Sequence, residues 1–392
     1  MNENLFAPNS PGTCSLPDNI LALIDKALPL PGRYRQALPE NIAELSRLLT
    51  AGRGERSLNY LNQPPHLSAY LRYFLPWNLY RLCRLLPALP IKLAAHDTVT
   101  DLGCGPLTLT IALWMCRSDL RELPLEFTCI DQSGPALDAG KKLFAALAGD
   151  AAPWKIRTVK SGLNAAKIKP AALICAVNVC NEMYGDFSRC SPDDLRRNAE
   201  KTARLLTGYG TASSAFLVIE PGLPRSGEFI SLLRNLLLQQ GYQPVSPCPH
   251  NRECPAPGRR NRDGGKTRWC HFTFSADGAP ASLLRLSKAA HVPKERAALS
   301  FLLAAPAFTG GTVAAEVPEK LRIISDPFPL PGGKYGRYGC TQHGLALLTG
   351  DKDTIEKTAS GSLVNAVIKK DSIDPKSKAV CAEEVKNENH TN

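Results

Sequence analysis

The feature that most constrains this chain is a set of cysteines drawn from distant positions. Three lie close in sequence, in Pro247-Cys248-Pro249-His250, Glu253-Cys254-Pro255 and Trp269-Cys270-His271-Phe272. A fourth candidate, Cys340, follows in Tyr338-Gly339-Cys340-Thr341. Four thiolates that converge in a folded chain are the usual ligand set of a 4Fe–4S cluster or a structural zinc. Cys248 and Cys254 each precede a proline, as cluster ligands in ferredoxin-type runs do. The sequence has no Cys-x-x-Cys pair of zinc-ribbon type. His250 and His271 lie close enough to replace a thiolate, however, so zinc stays open.

The chain has 13 cysteines, an odd number, and several sit in apolar runs such as Ile174-Cys175-Ala176. That usage does not suggest a disulfide framework and points to a reducing compartment. Met1–Ser10 contains Glu3, lacks arginine and has no apolar core. It resembles neither a signal peptide nor a mitochondrial presequence, so a cytoplasmic location is expected. No uninterrupted apolar run reaches the roughly 18 residues of a membrane span. A net charge of +11 over 392 residues makes a polyanion partner plausible, with RNA or DNA first. A monomer is expected.

Residues from about Leu16 to Leu89 read as helical. Ile20, Leu21, Leu23 and Ile24 form an apolar face, and Leu38–Leu49 forms another. Pro76 predicts a kink or break in the aromatic stretch that follows. Arg72, Arg81 and Arg84 sit among these aromatics. A helical lid with its arginines outward explains the periodicity better than an RNA-facing surface does. Strands are expected at Thr98–Leu102, Glu126–Asp131, Lys155–Val159, Ala172–Val179 and Phe216–Glu220, alternating with helices. Such repetition gives a mostly parallel sheet covered on both faces. After Tyr242 the pattern loosens. Strands are expected at Trp269–Ser275, Leu321–Pro327 and Gly344–Leu348, and a short helix at Leu283–His291. Glu295–Ala305 is compatible with a strand or a buried helix. The tail from about Asp371 is polar, lacks aromatics and is expected to be disordered.

Within the alternating region, Asp101-Leu102-Gly103-Cys104-Gly105-Pro106 ends a strand, turns on glycines and opens a helix. Such a turn brings backbone N–H groups close to a ligand at a helix N-terminus. Asp131, at the end of the next strand, is spaced to bond ribose hydroxyls. Leu107 stands where a third glycine would allow close helix packing, and it is expected to crowd the site. A purely structural turn is the competing reading. The fourth strand runs into Asn178-Val179-Cys180-Asn181-Glu182-Met183, without the polar–Pro–Pro–aromatic run that grips an exocyclic base nitrogen. Cys180 reads as a core cysteine rather than a nucleophile, and no catalytic residue is assigned. Between Cys254 and Cys270, the loop from Gly258 to Arg268 carries five basic residues against one acid. It suits phosphate contacts, and equally a solvated insertion.

Asp101–Gly105, Asn181-Glu182, Ile219-Glu220-Pro221-Gly222 through Gly227, Cys248-Pro249-His250 with Cys254-Pro255, and Trp269-Cys270-His271-Phe272 occur in this order in one group. Over roughly residues 58–350 the chain resembles the methyltransferase-like proteins of the mitochondrial small ribosomal subunit and their bacterial relatives. The resemblance implies an α/β fold with a Rossmann-like methyltransferase sheet that binds S-adenosylmethionine (SAM). An N-terminal helical region would precede it and a Cys-rich, partly β metal-binding module would follow. It implies Asp101, Gly103, Gly105 and Asp131 at SAM, and Cys248, Cys254, Cys270 and Cys340 on a 4Fe–4S cluster, with zinc as the alternative. It implies binding to the small ribosomal subunit and its rRNA in support of assembly or translation, with or without methyl transfer. The expected domains are residues 1–92, 93–243, 244–350 and a polar tail, 351–392.

Overall fold

The computed structural model describes residues 3–6, 16–50, 52, 55, 59–164, 167–183, 190–259, 267–307 and 319–385. The chain forms two compact units. One comprises residues 8–220 and 275–297; the other comprises residues 1–7, 221–274 and 298–392. Residues 275–297 thus belong with the nucleotide-type core and not with the Cys-rich region that flanks them. Among the described residues, no helix is long and apolar enough to cross a membrane.

The first unit is built on five parallel strands: β1 (Thr98–Leu102), β2 (Glu126–Asp131), β3 (Lys155–Lys160), β4 (Ala171–Val177) and β5 (Gly210–Pro221). Their order is β3-β2-β1-β4-β5. β1 and β4 are buried on both faces, as inner strands of a parallel sheet are, and β4 is apolar throughout. β3 alternates in exposure, and its Lys155, Arg157 and Lys160 stand where a hydrophobic edge would invite pairing. Chain order reverses between β1 and β4. The crevice beyond the carboxyl ends of these two strands is where such sheets bind ligands.

In α1 (Ile20–Ala27) and α2 (Leu38–Leu49) the apolar stripes Ile20/Ile24 and Ile42/Leu45 are buried. A long helical run follows: α3 (Pro64–Ala69), a π-helical stretch Tyr70–Phe74, then α4 (Leu75–Leu85). The break expected at Pro76 does not occur. Pro76 stands in the first turn of α4, where its missing N–H is tolerated, and the wider π turn precedes it. The arginines are not all outward either. Arg72 is buried, its Nε donating to Asp25 Oδ1 at 2.7 Å and its Nη2 to Leu28 O at 2.6 Å.

α5 (Thr108–Cys116) follows the glycine turn, and α6 (Gly134–Ala148) is capped by the Ser133 hydroxyl. α7 is the single turn Cys180–Met183. α8 (Pro192–Gly208) opens with a capping box between Ser191 and Asp194.

The second unit holds α9 (Pro224–Gln239) and β6 (Tyr242–Ser246), then β7 (Phe272–Ser275) and β8 (Arg296–Pro306). The ambiguous 295–305 segment is therefore a strand, paired antiparallel with β6. Between β7 and β8, α10 (Ala281–Ala289) belongs to the first unit, and its Ser287 hydroxyl receives the Trp77 indole N–H at 3.1 Å.

Beyond β8 come β9 (Glu319–Ile323), β10 (Tyr335–Thr341), β11 (Gly344–Gly350), α11 (Lys352–Lys357), β12 (Ser362–Ile373) and β13 (Val380–Glu384). These five strands close into a barrel around Leu321, Ile323, Ala346, Leu348, Val364, Ala366 and Ala382. The disorder expected from Asp371 onward is overturned as far as residue 385. β13 pairs with both β12 and β11 and buries Ala382. Residues 386–392 lie outside the described residues.

Candidate functional site

At the carboxyl end of β1 the chain turns through Gly103 at φ 65° and Gly105 at φ 53°. A Cβ on Gly103 would lie 2.2 Å from Val179 Cγ2, so this glycine serves packing. At Gly105 the nearest atom to a Cβ would be the Tyr70 hydroxyl, 3.9 Å away, so the turn is open on its ligand side. The Gly105 N–H donates to Asp131 Oδ2 at 2.8 Å, and the Ser133 N–H donates to Asp131 Oδ1 at 2.8 Å. The acid at the end of β2 is thereby fixed beside the glycine turn. Burial raises the Asp131 carboxyl, against the pull of these N–H donors.

Leu107 takes the left-handed conformation, φ 58° and ψ 36°, at the start of α5. It is fully buried and does not line the cavity, so the crowding expected from it does not arise. The close approach is supplied instead by Gly140 of α6, where a Cβ would lie 2.5 Å from the Pro106 carbonyl carbon. Asp101, the next-to-last residue of β1, is buried and outside the cavity lining. Among the described residues neither of its oxygens has a hydrogen-bond partner. Burial holds its carboxyl well above the usual range.

The cavity measures about 320 Å³, within the range of small-molecule pockets. Gly103, Gly105, Asp131, Ser133, Asn178 and Glu182 all line it. Asn178 leaves β4 at φ 55°, its N–H donating to Ile219 O at 2.7 Å. α7 is then held by Glu220, at the end of β5. Glu220 Oε1 accepts the Cys180 N–H at 2.9 Å, and Oε2 accepts the Asn181 N–H at 3.0 Å. Burial pushes the Glu220 carboxyl up to about 7. Cys180 is buried outside the lining and its thiol is pushed far up by burial, which fits a core residue.

The N-terminal segment covers the same cavity. The Tyr60 hydroxyl donates to Glu182 Oε1 at 3.3 Å, and the Ser133 hydroxyl donates to Asn62 Oδ1 at 2.9 Å. Tyr70 and Asn78 also line it. Arg81 Nη2 donates to Asn78 Oδ1, and Asn78 hydrogen-bonds the Tyr70 hydroxyl. A guanidinium can only donate, so the Asn78 oxygen faces Arg81 and its NH₂ faces Tyr70. The Tyr70 proton is left to donate into the cavity. Tyr60, Tyr70 and Asn78 were not singled out in the sequence. The aromatic stretch around Tyr70 was the available signal, but helical periodicity made it look like simple packing.

In the second unit Cys248, Cys254, Cys270 and Cys340 all line one cavity of about 10 Å³, with Pro247, Pro249, Ala256, Arg322 and Ile324. The segments bearing Cys254 and Cys270 run side by side: the Cys270 N–H donates to Ala256 O at 3.1 Å and the Gly258 N–H to Arg268 O at 2.8 Å. Cys340 arrives on β10. Among the described residues, no group of three or more His, Cys, Asp or Glu side chains could hold a metal ion as they stand.

His250 places Nε2 3.1 Å from Cys340 Sγ, and burial beside Arg234 holds its imidazole neutral, down to about 4. Arg234, itself buried, donates through Nη2 to His250 O at 2.9 Å and to Arg252 O at 2.8 Å. Arg322 Nε donates to Pro247 O at 3.0 Å. Burial raises the Cys248, Cys270 and Cys340 thiols, and the Arg234 charge opposes it at each. Of the basic loop, residues 260–266 lie outside the described residues.

A family model described as "Mitochondrial small ribosomal subunit Rsm22" matches residues 67–327. No curated protein matches the chain. Among solved structures, magnesium protoporphyrin IX methyltransferase from Synechocystis with bound SAM is 10% identical. The match covers 68% of this chain and 97% of that one, at a TM-score of 0.36. A putative methyltransferase from Thermoplasma acidophilum is 11% identical over 55% of this chain and 70% of that one, at a TM-score of 0.29.

Proposed function

Since the chain belongs to the Rsm22 family of the mitochondrial small ribosomal subunit, we propose that it is a SAM-binding, methyltransferase-like protein of the small ribosomal subunit. It binds the subunit's rRNA and supports assembly or translation. The observation that carries the SAM reading is Asp131, at the end of β2, held by the Gly105 and Ser133 N–H groups beside the glycine turn that closes β1. Its carboxylate suits ribose hydroxyls, the open Gly105 turn suits the anionic end of the ligand, and Tyr70 adds a hydroxyl donor. Bound SAM would supply an electrophilic methyl group. Glu182 and Asn178, which follow β4 and line the cavity, are polar groups an acceptor would meet.

We further propose that the four cysteines hold a 4Fe–4S cluster. What supports the reading is that the four thiols, from three separate segments of the chain, line one cavity. A cluster held by four thiolates carries negative charge, and the buried Arg234 and Arg322 supply cations next to it.

Sedimentation of a tagged copy in cell extract tests the ribosomal reading. Co-migration with the small subunit, and not with the large one, is expected. Protein that stays at the top of the gradient even at low salt would overturn it.

A further inference from the structure

The barrel of the second unit was not foreseen in the sequence. Its strands close in the order β9-β10-β11-β13-β12 and return to β9. All pairs are antiparallel except β11–β13. α11 lies between the third and fourth strands. Counted within the barrel, this is 1-2-3-5-4-1 with a helix after strand three, the connectivity of the oligonucleotide- and oligosaccharide-binding (OB) barrel. Barrels of this kind bind single strands on the outer face of strands two and three, flanked by the loops joining strands one to two and four to five.

Fold alone does not decide function, so the face must supply the chemistry. Side-chain alternation settles which residues point outward. Gly339 points into the barrel, because a Cβ there would lie 2.2 Å from Leu321 in the core. Tyr338 therefore points out from strand two. Its ring centroid is 4.9 Å from that of Phe328, which lies in the loop joining strands one and two. The Arg268 guanidinium lies over the Tyr338 ring, 5.6 Å from its centroid. The root of this loop is fixed, with the Tyr338 N–H donating to Ser325 Oγ at 2.7 Å and the Ile324 N–H donating to Tyr338 O at 3.0 Å. The loop joining strands four and five adds exposed Lys376 and Lys378.

The outer face is buried within the unit at Cys340 and Leu347, and we infer that its remaining end, formed by Tyr338, Phe328 and Arg268, is a binding surface for single-stranded RNA. Aromatic rings and guanidinium planes both stack bases, and the guanidinium and the two lysines pair with phosphate. The net charge of +11 fits a polyanion, and membership of a small-subunit family selects RNA over an oligosaccharide. The inference rests on the rRNA-binding reading above and locates where the strand lies.

The test is fluorescence anisotropy of a labelled single-stranded oligouridine of about 16 nucleotides, the upper end for one OB barrel, titrated with the full chain. Tyr338→Leu keeps apolar contact with Phe328 but removes the stacking ring. Arg268→Glu and the exposed pair Lys376→Glu/Lys378→Glu remove phosphate contacts. Each of the first two is expected to weaken binding by about fivefold to a hundredfold at unchanged melting temperature. The lysine pair should flatten the salt dependence of affinity by about two phosphate contacts. Wild-type affinity in all three variants would overturn the assignment. A wild-type chain that ignores the oligonucleotide yet sediments with the small subunit would overturn this surface alone. One that does neither would overturn both readings.

Discussion

Glu220 accepts the Asn181 backbone N–H at 3.0 Å from a side chain with no solvent exposure. That bond, with its partner at Cys180, anchors the turn that carries Glu182 to the cavity. The folded-state value of about 7 lies above the ordinary 4.5, so folding tightens the proton. The stability gained is complete below about pH 4.5 and is lost as pH rises through about 7. A displacement of that size corresponds to roughly 3 kcal/mol. Wild type should therefore lose melting temperature between pH 5 and pH 8 relative to Glu220→Gln, which cannot ionise. Parallel melting curves over that range would contradict this role.

Tyr70 should matter to the ligand and not to the fold. With its oxygen engaged by Asn78, the hydroxyl proton is free for an acceptor brought by SAM or S-adenosylhomocysteine (SAH). Tyr70→Phe is expected to weaken SAH binding about tenfold, the worth of one hydrogen bond to a charged group. Calorimetry measures this, with the melting temperature as control. Unchanged affinity would remove Tyr70 from the site.

Gly140 is where the fold meets the glycine turn. A Cβ there has the backbone carbonyl of Pro106 at 2.5 Å and cannot be relieved by a side-chain shift. Gly140→Ala should cost about 1–3 kcal/mol by overpacking and weaken SAH binding as the turn is displaced. Chemical denaturation of the variant measures the first effect. An unaltered midpoint would contradict the packing account.

The parallel sheet was readable because inner strands are apolar on both faces and glycines mark their ends. Both acids were placed by spacing, yet only Asp131 lines the cavity; Asp101 is buried outside it. Spacing fixes a position along a strand but not whether the side chain reaches the ligand space. The compensation of Leu107 by Gly140 was hidden because the two meet only in space. The barrel was missed for a local reason. β10 contains Gly336 and Gly339, and glycine in a strand interior weakens the strand pattern, yet Gly339 leaves the space in which Leu321 packs against the backbone. β13 looked like a disordered tail because its core-facing residues are only the small Ala382 and the partly buried Val380.

The cysteine cavity predicts metal content. Anaerobically purified protein should carry about four irons and four acid-labile sulfides per chain. Cys340→Ser should lose most of both, while Cys381→Ser, a change outside the cavity lining, should lose neither. One zinc without sulfide would replace the cluster with a structural zinc.

The most direct test of the account is a calorimetric titration of SAH into the wild-type chain and into Asp131→Ala. The account predicts one site per chain in the wild type and a loss of about tenfold or more in the variant, since Asp131 both orders the turn and receives the ribose. Wild-type protein that binds no SAH, or a variant that binds it equally well, would contradict the central claim.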